Sequence, residues 1–166
     1  KERALMVSLL LAIIYLSFIS LGLPDSVLGS AWPLIHVDFG VPVSYMGIIS
    51  MIIAGSTIVS TFFSGVASRK IGTGLTTAFS VAMTAAALFG FSLSNSLIVT
   101  SIIAVPYGLG AGAVDASLNS YVAAHFSSRH MSWLHCFWGV GASISPYIMG
   151  ACLTGGLGWR GGYTVI

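Results

Sequence analysis

The sequence predicts an all-α, polytopic membrane protein. Two features of composition and one of pattern point there. Hydrophobic residues make up 56% of the chain. Only 6% are charged, where soluble domains carry roughly a quarter. The apolar residues also fall in a regular series of runs of about 20 residues, the helical length that crosses about 30 Å of hydrocarbon. Six basic and four acidic residues among 166 cannot clothe a water-soluble globule, whereas lipid demands such a surface.

Five complete spans are read from the runs, at about Ala4 to Ile35, Ser44 to Ala67, Thr73 to Ser92, Leu97 to Phe126 and Ser132 to Leu153, with a sixth starting near Trp159. Turn chemistry marks the breaks: Asp38-Phe-Gly-Val-Pro42, Arg69-Lys-Ile-Gly-Thr-Gly74, Ser92-Leu-Ser-Asn-Ser96, Ser127-Ser-Arg-His130 and Gly155-Gly-Leu-Gly158. Short loops make neighbouring helices antiparallel. The first run is no signal peptide, because it is about twenty residues long, lacks a clean A-x-A site and leads into further spans.

Lys1 and Arg3 precede the first span, Arg69 and Lys70 follow the second and Arg129 follows the fourth, while the opposite side holds only Arg160. The positive-inside rule then places the amino terminus in the cytoplasm, and a bacterial inner membrane is the expected location. Trp32, Trp133 and Trp159 fall near span ends, where indole rings favour the interface. The chain opens on lysine and closes on an isoleucine inside an apolar segment, so the expectation is roughly half of a larger protein, completed by a C-terminal domain or another copy.

Several function classes drop out. The basic residues are scattered in ones and twos around a net charge of +2, so no run neutralises a string of phosphates and nucleic acid is not an expected partner. Cys136 and Cys152, sixteen apart on one predicted helix, stand about 24 Å apart at the helical rise and cannot bridge. The four histidines have no thiol or carboxylate pair at ligand spacing, so neither metal nor cofactor is expected.

Polar residues inside the spans are the candidates for function. Pro24 removes an amide donor within Gly22-Leu-Pro-Asp-Ser-Val-Leu-Gly29, so the first helix should kink beside Asp25. A carboxylate there must be protonated, paired or wetted, and two readings stand: an acid facing a polar cavity, or a structural acid capping a broken helix or solvated at the outer surface. In the fourth span, small residues at 108, 112, 116, 120 and 124 line one stripe for close helix contact. Asp115 and Asn119, four apart, form a second stripe about 100° away, read as cavity-facing against the alternative of a buried packing acid. Ser56, Ser60 and Ser64 are assigned to packing. His135 lies about one turn inside the fifth span, where it serves either as a gating, binding or titrating group or as a partner of interfacial backbone. Trp138, one turn on, is a stacking wall or plain packing.

Six spans with an inside amino terminus and a basic second-to-third loop resemble one half of a major facilitator superfamily transporter, a six-helix half built from 3+3 inverted repeats. Gly65-Val-Ala-Ser-Arg69-Lys70-Ile-Gly72 is similar to that family's signature loop, Gly, three residues, Asp, Arg or Lys, one residue, Gly. Arg69 stands where the pattern has aspartate, and Thr73-Gly74-Leu75 replaces its trailing basic residues. Within the superfamily, Gly110-Ala-Gly-Ala-Val-Asp115-Ala-Ser-Leu-Asn119-Ser-Tyr-Val and Leu134-His135-Cys-Phe-Trp-Gly139-Val-Gly141 resemble the fucose and glucose permease group. That resemblance implies proton coupling and sugar recognition by an acid in the first helix and another in the fourth, here Asp25 and Asp115. Gly141-Ala-Ser-Ile-Ser145-Pro146 is similar to the Gly-Pro motif of drug and proton antiporters, with serine for the glycine.

The expected function is proton-coupled uptake of a sugar or similar small polar solute by alternating access across a bilayer. Asp115 and Asn119 would hold substrate hydroxyls, Asp25 would carry the coupling proton, and Trp138 and Tyr107 would stack on the sugar ring, with His135 beside them. Efflux antiport is the alternative, and a receptor or assembly module that transports nothing is a third. An enzyme is not expected, because Ser143 and His135, which might be offered as nucleophile and base, lie eight apart on one helix, about 12 Å along its axis.

Overall fold

A computed structural model describes residues 2–166. Lys1 and the side chain of Arg3, on which part of the sidedness argument rests, lie outside the description. The described chain is helical from end to end: α1 (Glu2–Asp25), α2 (Val27–Asp38), a 3-10 turn (Val43–Tyr45), α3 (Met46–Ile71), α4 (Thr73–Leu93), α5 (Leu97–His125), α6 (Ser128–Thr154) and α7 (Gly158–Val165). Five segments are long and apolar enough to cross a membrane, the first being α1 and α2 taken together from Leu5 to Asp38. Phe62, Met51 and Ile98, each more than 70% exposed, belong to an outer surface suited to acyl chains.

The first span breaks where proline forbids continuity: α1 ends at Asp25, Ser26 forms a turn, and α2 begins at Val27. The connections are tighter than the sequence suggests. Arg69, Lys70 and Ile71 form the last turn of α3 and Thr73 and Gly74 the first of α4, leaving Gly72 alone as the junction. Gly72 has φ +87° and ψ 151°, a region essentially reserved for glycine, so one residue reverses the chain. The expected loop Arg69–Gly74 is thereby corrected to a single residue. Its two cations sit where they complement the negative end of the α3 dipole. Arg129 and His130 likewise fall in the first turn of α6 rather than in a loop.

Two ends of the bundle can be named from these turns. The α2–α3 and α4–α5 connections share the Asp38 end, and the α3–α4 and α5–α6 connections share the Gly72 end. Span one (α1 with α2) packs chiefly on span five (α6), and span four (α5) on span two (α3) and span three (α4). Exchanging spans one to three with four to six turns the contact of span one with span five into that of span four with span two, as 3+3 inverted repeats require.

Glycine permits both approaches. A Cβ at Gly22 would fall on the Trp138 carbonyl oxygen and one at Gly141 on that of Ile19, so α1 and α6 touch backbone to backbone. Gly108 and Gly112 do the same for α5 against Ile53 and Thr57 of α3. Ser60 Oγ donates to the Leu109 carbonyl across that contact at 2.5 Å, in keeping with a packing role for the serine stripe.

The tryptophans depart from expectation. Trp32 is buried, its Nε1 donating to the Val43 carbonyl at 2.7 Å. Trp159 is buried as well, with Nε1 donating to Asp38 Oδ2 at 2.7 Å. An indole N–H that finds a partner within the protein lets the ring pack as core. Of the three, only Trp133 keeps an exposed ring.

Candidate functional site

The break in the first span turns Asp25 into the meeting point of three helices. Trp138 Nε1 of α6 donates to its Oδ2 at 2.8 Å. The Tyr107 hydroxyl of α5 donates to its Oδ1 over a longer 3.4 Å. Both donors come from residues assigned at first to sugar stacking. Trp138 remains partly exposed and can still offer a ring face. Tyr107 cannot: its ring is buried, with Phe91 at 5.8 Å between centroids, so it brings its hydroxyl to the site and not its face.

Asp25 and Asp115 line one cavity of about 250 Å³, together with Leu21, Ile53, Thr57 and Trp138. Asn119 Nδ2 donates to Asp115 Oδ1 at 3.0 Å, as the four-residue spacing anticipates. The buried Asn119 Oδ1 makes no hydrogen bond to a described protein atom. His135 is exposed, with its ring edge-on to Phe18 at 6.2 Å. It stands three residues before Trp138 on α6. The structure therefore brings Asp25, Tyr107, Asp115, Asn119, His135 and Trp138 to one region. Gly65, Arg69, Lys70 and Gly72 lie apart from it, in the later turns of α3 and the junction at the Gly72 end.

Chemically, this region offers two carboxyl groups, an amide, an indole N–H and an imidazole in an apolar frame. Such a set exchanges hydrogen bonds with hydroxyls and holds or releases a proton. Ser143 Oγ donates to the Gly139 carbonyl of its own helix at 2.7 Å, so its hydroxyl is committed to the backbone.

Two clusters escaped the sequence. At the Asp38 end, Asp38 accepts from Trp159 and forms an ion pair with Arg160 at 3.3 Å, while Arg160 Nη2 donates to the Ser94 carbonyl at 3.0 Å. Nearer the Gly72 end, the Tyr15 hydroxyl and His130 Nδ1 lie 2.5 Å apart, with Phe137 stacked on Tyr15. The members of each cluster stand far apart in sequence, and no local spacing announces such pairs.

No curated protein matches the chain. The family model described as Major Facilitator Superfamily matches residues 7–166. With the helix-pairing symmetry and the kinked first span, that match leads to one conclusion: the chain belongs to the Major Facilitator Superfamily.

Proposed function

We propose that this chain, a member of a family of secondary transporters, carries a sugar or similar small polar solute into a bacterial cell together with a proton. In this reading the amino terminus is cytoplasmic, and the bundle works against a second six-helix bundle by alternating access. The observation that carries the reading is the shared cavity: Asp25 and Asp115 line one hollow with Trp138, where a carboxylate facing lipid would be costly. Asp115 and Asn119 take solute hydroxyls. Trp138 offers its exposed ring edge, His135 sits beside Asp115, and Asp25 carries the proton. The resemblance to the fucose and glucose permease group supports the choice of solute, and Arg69, Lys70 and Gly72 act at the cytoplasmic turn between the second and third spans.

Uptake of radiolabelled fucose and glucose into proteoliposomes tests this directly. An imposed pH gradient, acidic outside, drives accumulation by the wild type. Asp25→Asn abolishes that accumulation and spares solute exchange. Normal accumulation by Asp25→Asn removes the proton role from this residue. Efflux antiport has one observation in its favour, the seating of Gly141 of the Gly141–Pro146 segment on the Ile19 backbone of α1. It predicts solute leaving, not entering, down the same gradient.

A further inference from the structure

Asp25 lines a second cavity, on the opposite side from the one it shares with Asp115. That cavity, of about 300 Å³, extends past Ser26 and Gly29 to Met46 and Ser50 of α3 and Tyr163 of α7, all towards the Asp38 end. The cavity shared with Asp115 runs the other way, past Leu21 and Thr57. Asp25 and Ile53 thus border both cavities, and the two carboxyl oxygens face different ways. Oδ1 accepts from Tyr107, which lines only the cavity towards the Asp38 end. Oδ2 accepts from Trp138, which lines only the cavity shared with Asp115.

The two donors are not chemically equivalent. An indole N–H has no lone pair to receive a proton, so Trp138 can hold Oδ2 but cannot pass a proton to it. A phenol hydroxyl both donates and accepts. We propose that the coupling proton reaches Asp25 through the cavity at the Asp38 end and the Tyr107 hydroxyl, by a route separate from the solute cavity. In that step a hydronium ion in the cavity gives its proton to the Tyr107 oxygen as the tyrosine O–H proton moves to Oδ1. The products are water, an intact phenol and a neutral carboxyl group.

The other groups facing Asp25 do not compete for this role. Asp115 of α5 lies on the solute side, and His135 of α6 lines neither cavity. Tyr163 of α7 lies in the same cavity as Tyr107 and extends the path. Neither α3 nor α4 presents a titrating side chain there, only Met46, Ser50, Ile53, Ala54, Leu88 and Phe91.

The inference rests on the proton-coupled reading, but its test needs no known solute. The intact protein in lipid nanodiscs is given a flash-released proton, and the carboxyl infrared band that Asp25→Asn abolishes is followed in time. Tyr107→Phe slows its appearance tenfold or more, and Ser50→Leu, which narrows the same cavity and keeps the tyrosine hydroxyl, slows it similarly. A wild-type rate in both variants overturns the route. So does an equal slowing by Ala111→Leu, which narrows the solute cavity, because the proton then shares the solute's path. A protein that passes this test yet carries no sugar refutes the proposed solute and leaves the proton route standing.

Discussion

At the scale of single residues, the two bonds on Asp25 differ in length, 2.8 Å from Trp138 and 3.4 Å from Tyr107. A well-formed hydrogen bond to a charged group contributes about 1.5–3 kcal/mol, so Trp138→Phe should lower stability by an amount near that range and Tyr107→Phe by clearly less. Thermal unfolding in detergent checks the order. Equal losses would mean that the longer bond matters as much as the short one. Asp25, Asp115 and Asn119 stand out in the sequence because a strongly polar residue inside an apolar run has few places to go. The donors on Asp25 were not legible as such. Trp138 is 113 residues away and Tyr107 is 82, and only the fold decides which atoms face each other. The sequence suggested rings for stacking, whereas the structure uses an N–H and an O–H.

At the scale of helices, glycine sets how closely the elements pack, and neighbouring glycines behave oppositely. Gly141 faces the α1 backbone, but Gly139, two residues earlier on α6, has nothing within 4 Å of where a Cβ would stand. Gly141→Ala therefore forces α1 and α6 apart, at a cost of about 1–3 kcal/mol for overpacking. Gly139→Ala is neutral, or stabilising by up to about 1 kcal/mol through helix propensity. A shared sign for the two would contradict the backbone contact. Gly72→Ala, at φ +87°, should cost about 1–3 kcal/mol because that conformation excludes a Cβ. Helix number, the kink and most boundaries followed from run length and proline. The junction at Gly72 was overestimated because glycine and two cations look like a loop, yet cations are also what a helix carboxyl end favours.

At the scale of the whole molecule, the Asp38 end is tied across α2, α7 and the α4–α5 turn by Asp38, Trp159, Arg160 and the Ser94 carbonyl. The ion pair is about half exposed on both sides, so its own contribution is below about 1 kcal/mol. Arg160→Lys should retain charge but lose the second donor to Ser94, and a melting temperature within a few degrees of wild type is expected. A collapse of stability would assign that end a far larger share.

The central claim is that both aspartates face a polar hollow inside the membrane and not the acyl chains. Replacing Cys136 and Cys152 with serine and introducing Asp25→Cys or Asp115→Cys allows a direct measurement of thiol labelling in intact membranes. A charged, membrane-impermeant reagent should modify each introduced thiol, and a transported solute should slow the reaction at position 115. Labelling of both positions only by lipid-soluble reagents would contradict the account.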